Sequence, residues 1–274
     1  MTLIGNFIII YLILKDSHLH NPMYFFLGNL ACLDILSTSV TLPRLLYDSF
    51  RKQRTISSTS CITQLYFSLT FISTETFLLG VMSYDRYAAI CFPLHYAHLM
   101  RWKVCTELAL TVWVFSLLYS LMYTVSTLRL SFCGPNNIQS FFCELRQLLQ
   151  LSCNNNFINI LLVFVIGGFI ALGFFLMTFL PYISIFIAVL SINTNTGRRK
   201  MFSTCGSHLT VVFMFYGTCG FNYFHPSTSY SSVSKHVSVA YTIITPFLNP
   251  LIYSFRNNDL KRALRNEFII FKRT

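Results

Sequence analysis

The chain has 274 residues, of which 54% are hydrophobic and only 11% charged, against roughly 25% charged in an ordinary soluble domain. Its net charge is +11, but the basic residues fall in short clusters between apolar runs, which excludes the continuous basic face of a nucleic-acid binder. With 28 Phe and 15 Tyr, no internal repeat and no low-complexity linker, residues 1–274 read as a single integral membrane domain.

A membrane-crossing helix needs about 20 apolar residues. Seven runs are read as spans: Met1–Leu14, Met23–Tyr47, Cys61–Tyr84, Val104–Tyr123, Phe157–Leu190, Met201–Phe224 and Val237–Phe255. They are continuous rather than alternating, so the expected fold class is all-α, a seven-transmembrane helix bundle, and not a barrel. The first run is shorter than a full crossing. It lacks the basic start and small-residue cleavage site of a secretory signal, so it is read as a helix.

The second span carries Asp34 in "GNLACLDIL" and the third carries Glu75 in "FISTETFLLG". A carboxylate at membrane depth is costly and usually faces a polar cavity or a partner. Two readings stay open for this pair: protonated, hydrogen-bonded glue between helices, or an ion- or proton-sensitive polar core. Glu75 and Arg86 lie eleven positions apart, close to three helical turns, so they share one face. The inward stripe of the third span is then Ser68, Ile72, Glu75, Met82 and Arg86.

Between the fourth and fifth spans, residues 125–156 form a long polar loop. Cys61, Cys133, Cys143 and Cys153 sit at or beyond the outer span ends, and in an oxidising compartment they allow two disulfides in any of three pairings. No histidine stands at zinc-ligand spacing from them. The seventh span holds "TPFLNPLIY", in which Pro246 and Pro250 each remove a backbone donor while Asn249 offers a side-chain bond beside the break. After it, Leu260, Ala263, Leu264 and Phe268 oppose Lys261, Arg262 and Arg265, which predicts an amphipathic helix over about 257–270 on the anionic inner leaflet. The loops after spans one, three and five and the tail hold 13 of the 20 lysines and arginines. The positive-inside rule places that side in the cytoplasm, with the N-terminus outside.

Several stretches, in order along the whole chain, resemble the vertebrate odorant receptors, which are rhodopsin-like G-protein-coupled receptors. They are "GN" at Gly5–Asn6, "LHNPMYFFLGNLACLD" at Leu19–Asp34, "MSYDRYAAICFPLHY" at Met82–Tyr96, "SFFCELRQLLQLSC" at Ser140–Cys153, "GRRKMFSTCGSHLTVV" at Gly197–Val212, "FYGT" at Phe215–Thr218 and "PFLNPLIYSFRNNDLKRAL" at Pro246–Leu264.

The resemblance implies a plasma-membrane receptor that binds a small volatile odorant and activates a stimulatory heterotrimeric G protein, raising cAMP. It implies neither cofactor nor catalytic residue. Asp85, Arg86 and Tyr87 match the family's inner switch, in which Asp85 holds Arg86 at rest and releases it to the G-protein α-subunit. Tyr182 and Tyr253 match inward tyrosines of the active state, and Lys200 begins the sixth helix beside the G protein. Asp34, Glu75 and Asn249 match a polar core where the family holds a sodium ion. The implied disulfides are Cys61–Cys143 and Cys133–Cys153.

Tyr216 matches the lower wall of the ligand cavity. Helical register adds Ser68, Leu69, Ile72 and Ser73 on the third span and Cys219, Gly220 and Tyr223 on the sixth. The expected pocket is mostly apolar, with a few hydroxyls and no dedicated charge.

The chain departs from the family at several points. Asn6 matches the middle of the family's first span, so the first helix is expected to be incomplete. No Asn-x-Ser/Thr sequon occurs. Pro181 stands where serine is usual, and Glu144 where aspartate is. The rival reading is therefore a truncated, non-signalling product. A transporter would need inverted repeats, and an enzyme a catalytic pair or metal motif, and neither pattern is found.

Overall fold

The structure is a computed structural model that describes residues 1–51, 54–133, 137–138, 140–154, 156–191, 195–224 and 239–271; for 195–204, 222–224, 240–241, 255–256, 258 and 268–271 it describes the backbone alone. Among the described residues ten α-helices follow in order: α1 (Thr2–Lys15), α2 (Pro22–Ser49), α3 (Ser58–Cys91), α4 (Tyr96–Leu99), α5 (Trp102–Thr127), α6 (Leu145–Leu151), α7 (Phe157–Leu190), α8 (Asn195–Phe224), α9 (Thr245–Arg256) and α10 (Asn258–Phe271). Seven of them, α1, α2, α3, α5, α7, α8 and α9, form the bundle. Among the described residues the β-structure is a single bridge between Phe132 and Ser152.

Local chemistry sets the helix ends. The Asn21 side chain accepts the Tyr24 N–H at 3.4 Å, with Pro22 behind it in the first turn of α2. Ser57 does the same for α3, accepting the Ser60 N–H at 3.2 Å. Helix α3 occupies the centre, packed on α2, α5 and α7, with Leu78 and Leu79 fully buried. Helix α7 instead turns Phe164, Phe169, Phe186 and Ile187 outward. A helix apolar on every face suits lipid.

The fifth expected span matches α7 in both bounds, and the others begin or end a few residues away. Among the described residues, α2, α3, α5 and α7 are long and apolar enough to cross a membrane by themselves, and α1 is a shorter apolar helix. Helix α8 extends back to Asn195 through the polar "NTGRRK" stretch, and Ser207, His208 and Thr210 interrupt the apolar run that follows. The start expected for the seventh span at Val237 lies outside the described residues. Two π turns were not foreseen: Leu162–Gly167 within α7 and Ala240–Ile244 ahead of α9. At the first, the Tyr123 hydroxyl donates to the Leu162 carbonyl at 2.9 Å, and a Cβ on Gly167 would lie 2.9 Å from that hydroxyl oxygen.

Helix α1 docks through Gly5 and Asn6. Pro250 has no N–H, so the Pro246 carbonyl loses its donor one turn on. The buried Asn6 amide donates to that carbonyl at 3.3 Å and to the Thr2 carbonyl at 3.1 Å. Gly5 allows the approach, since a Cβ there would stand 3.2 Å from the Pro250 Cβ. Asn6→Leu should therefore leave a buried carbonyl without a partner and cost about 1–3 kcal/mol. The check is a thermal melt in detergent against wild type.

Helix α10 folds back onto α1 and reaches α2 through the bond from the Tyr24 hydroxyl to Asp259 at 3.2 Å. Leu260 and Ala263 are buried, while Lys261, Arg262 and Arg265 are exposed. Lys15 pairs with Glu267 at 2.7 Å, and the Tyr24 hydroxyl donates to Asn257 at 2.9 Å.

Candidate functional site

Three groups of side chains lie along α3, and the innermost surrounds Asp85. This carboxylate is 1% exposed and uses both oxygens: Arg86 Nε donates to Oδ2 at 3.0 Å, reinforced by Arg86 Nη2, and the Tyr96 hydroxyl donates to Oδ1 at 2.7 Å. Burial and the Asp85 charge push the Tyr96 phenol up from its usual value, so Tyr96 remains a donor at neutral pH. Tyr87 packs with Ile185, Val189 and Cys205, and lies edge-on to Phe92 at 5.4 Å. The Tyr182 hydroxyl bonds His208 Nδ1, and the two rings stack 5.9 Å apart. Tyr253 is buried, and its hydroxyl has no hydrogen-bond partner among the described residues. The Lys200 side chain lies outside the described residues.

Sequence reasoning missed Tyr96 and His208. Both lie in the quoted stretches, but a tyrosine in a loop and a histidine in a helix carry no role until the chain brings them to Asp85 and Tyr182. His208 is 3% exposed and its Nε2 has no hydrogen-bond partner among the described residues.

The middle group is the polar core. Asn249 Nδ2 donates to both oxygens of Asp34, at 3.3 and 3.1 Å. Asp34, Glu75 and Asn249 are 1%, 6% and 2% exposed. Glu75 Oε1 and Asn249 Oδ1 have no hydrogen-bond partner among the described residues. Two buried acids with two orphaned oxygens beside them call for a proton or a hard monovalent cation, and oxygen donors of this kind fit sodium.

The outermost group lines a cavity of about 50 Å³. Helix α3 contributes Ser68, Leu69 and Ile72, with Glu75 innermost; Ser37 and Thr41 come from α2, Thr242 from the turn before α9, and Phe142–Arg146 from the outer loop. Disulfides Cys61–Cys143 and Cys133–Cys153 tie that loop down, and the Cys143 N–H donates to Gln64 Oε1 at 3.1 Å. The volume is below the roughly 150 Å³ that holds a benzene ring. An organic ligand therefore has to move the walls or lie partly outside.

The cavity corrects two expectations. It has a dedicated acid, Glu75, where a pocket without charge was expected; register put Glu75 on the same stripe but could not show how far down the cavity runs. Among the described residues, those expected on α3 and α8 also do not meet in it. The Ser73 hydroxyl is turned back onto its own helix, donating to the Leu69 carbonyl at 2.7 Å. Tyr216 bonds the Thr178 hydroxyl at 3.1 Å and sits edge-on to Phe175 and Phe179, 5.6 Å from each. Cys219 and Gly220 are half-buried and do not line the cavity, although Cys219 lies within electrostatic reach of Glu75, and the Tyr223 side chain lies outside the described residues. Interhelical packing holds the Tyr216 face against α7, and the 3.6-residue period says nothing of that rotation.

Comparison with known proteins gives a consistent picture. A family model described as "Olfactory receptor" matches residues 1–270. Olfactory receptor 1500 of Rattus norvegicus is 47% identical over 264 residues, 96% of this chain and 84% of its own length. Olfactory receptor 5AR1 of Mus musculus is 48% identical over 266 residues, 97% of this chain and 86% of its own. The crystal structure of squid rhodopsin aligns with a TM-score of 0.77 at 20% identity, over 98% of this chain and 82% of that one, a likeness of fold alone.

Proposed function

The chain belongs to the olfactory receptor family, a family of signalling receptors and not of enzymes, and from that premise we propose that it binds a small volatile ligand in the outer half of the bundle and activates a stimulatory heterotrimeric G protein, raising cAMP. The observation that carries this reading is the run of α3 from one site to the other. The same helix lines the outer cavity with Ser68, Leu69 and Ile72 and ends on the buried Asp85–Arg86–Tyr96 cluster.

The mechanism is a population shift. A ligand acts only if it binds the signalling arrangement better than the resting one. At rest Arg86 is held by Asp85, and Tyr182 by His208. In the signalling arrangement both are released, the buried Tyr253 hydroxyl gains a partner, and the opened inner face takes the α-subunit, with Arg198, Arg199 and Lys200 at the start of α8 beside it. Asp34, Glu75 and Asn249 hold a sodium ion in the resting arrangement. The disulfide-tied loop keeps the rim fixed while the inner ends move.

The charge tally supports a multi-pass plasma-membrane protein with the N-terminus outside and the C-terminus in the cytoplasm. The basic face of α10 then meets the anionic inner leaflet. The deciding experiment expresses the chain with an epitope tag beside the olfactory G protein and records cAMP against an odorant panel, with surface staining in parallel. Ligand-dependent cAMP is expected. A chain that reaches the surface yet gives no cAMP with any panel member would make it a non-signalling product.

A further inference from the structure

We propose that the groove between α5 and α7 binds a membrane phospholipid, with its phosphate on Arg129 and one acyl chain laid along α5.

The groove encloses about 510 Å³, within the range of small-molecule sites, and shares no lining residue with the cavity beside Glu75. Its origin lies in the packing. Helices α5 and α7 both lean on α3, but meet each other chiefly at Phe157–Leu161. Two side-chain bonds span the gap: Asn159 Nδ2 donates to Ser126 Oγ at 3.2 Å, and the Tyr123 hydroxyl donates to the Leu162 carbonyl at 2.9 Å. Leu118, Leu121, Met122 and Val125 recur at helical spacing as one wall, and Ile158 and Leu162 come from α7. Leu118, Leu121, Val125 and Ile158 are exposed, and in a membrane such a wall meets acyl chains.

One end is different. Arg129 continues the α5 stripe four positions past Val125 and is exposed. Its guanidinium makes no ion pair or hydrogen bond among the described residues, and no carboxylate lines the groove. Asn154 beside it is already committed. Its amide donates to the Arg129 carbonyl at 2.9 Å, and its Oδ1 accepts the Ser131 N–H at 3.2 Å and the Ser152 hydroxyl at 2.8 Å. The donor left at this end is a planar cation, whose fork matches a phosphate.

The length fits as well. Eleven positions separate Leu118 from Arg129, about 16 Å of helix. One leaflet's hydrocarbon is about 15 Å deep, half of the bilayer core. With Arg129 at the head groups, the apolar wall ends near the midplane, the reach of one acyl chain. A second copy docking through the same two helices brings no acid to this height. Helix α7 has no charged residue, and Glu107 lies at the opposite end of α5.

The test reconstitutes the full chain in phosphatidylcholine bilayers doped with a phosphatidylcholine that carries a diazirine midway along one chain. After illumination, adducts are located by peptide mass, and labelling of 118–130 and 157–162 is divided by labelling at the outward-facing Phe169 and Phe186. This ratio should fall about fivefold in Arg129→Gln, the scale of one charge-assisted contact, and Arg129→Lys should keep most of it. Leu121→Trp, which fills the groove and leaves the cation in place, should lower it likewise. The same photoreactive chain on diacylglycerol, which lacks the phosphate, should label the wild type no better than the phospholipid labels Arg129→Gln.

A ratio that ignores both Arg129→Gln and Leu121→Trp makes the groove ordinary lipid-facing surface and overturns the proposal. So does diacylglycerol labelling equal to that of the phospholipid. Groove labelling by a diazirine fatty acid or sterol that excess phosphatidylcholine does not displace assigns another occupant, and adducts joining two copies of the chain through Leu121 or Ile158 assign the groove to self-association; either result overturns it too.

Discussion

Arg86→Ala is expected to reduce ligand-driven cAMP to background, while Asp85→Asn raises basal cAMP without ligand. Both substitutions break the same pair, which makes their contrast informative. Asp85 is 1% exposed and Arg86 12%, and loss of one partner from a buried pair costs about 3–5 kcal/mol. If the pair served only to hold the fold, the two variants would lose surface protein together and signal alike. On the proposed mechanism they diverge. Asp85→Asn releases the guanidinium that the G protein needs, and Arg86→Ala removes it.

Tyr96 makes the experiment practicable, because its hydroxyl still occupies Asp85 Oδ1 at 2.7 Å when Arg86 is gone, so the stranded carboxylate keeps a donor. Tyr96→Phe keeps the pair and removes one bond. At about 1–3 kcal/mol for a buried acceptor left short, basal cAMP should rise less than in Asp85→Asn. Surface staining normalises all three. Full ligand-driven cAMP from a well-delivered Arg86→Ala protein would sink the assignment of Arg86.

How much of this was legible in the sequence depends on the range of the interaction. Residues 157–190 could be bounded as one helix because the run is apolar throughout, and a lipid-facing helix needs nothing else. The Glu75–Arg86 stripe was legible because both residues share one helix, where the period fixes the face. Asn6 could be seen in its motif, but its task could not. Its partner is a carbonyl left open by Pro250, some 240 positions along the chain, and no local pattern records that debt. The same holds for His208 and Tyr182, on different helices. The cavity was half legible for this reason: α3 register named Ser68, Leu69 and Ile72, which line it, whereas the contact of Tyr216 with Thr178 turns on how α8 rotates against α7. The π turns escaped too. A π turn depends on how a carbonyl finds a partner such as the Tyr123 hydroxyl across the helix boundary, not on residue propensity.

The two disulfides should be unequal, and their ranking tests whether the outer loop is the roof of the ligand site. Cys61→Ser should lower the melting temperature and surface delivery more than Cys133→Ser. Cys61–Cys143 joins residues 82 positions apart, and Cys133–Cys153 joins residues 20 apart. Removing a bridge frees the unfolded chain by an amount that grows with loop length. The longer loop is worth about 1 kcal/mol more, on typical totals of about 2–4 kcal/mol.

The folded side points the same way. Around the shorter bridge the backbone holds itself: the Cys153 N–H donates to the Ser131 carbonyl at 2.9 Å, and the Asn154 side chain donates to the Arg129 carbonyl at 2.9 Å. Around the longer bridge the loop meets α3 through the Gln64–Cys143 bond at 3.1 Å and through a small apolar cluster of Cys143, Leu145 and Leu148 with Leu65 and Leu69, side-chain contacts with no backbone pairing to α3 among the described residues. Cys61→Ser protein that does reach the surface should therefore need at least about tenfold more ligand, equivalent to about 1.4 kcal/mol, with basal cAMP little changed. The cavity loses its lid while the Asp85–Arg86 cluster, at the far end of α3, keeps every bond it had. An unchanged dose–response in surface-delivered Cys61→Ser protein would mean that the ligand does not sit under this loop, and would move the search to the space between α3 and α8.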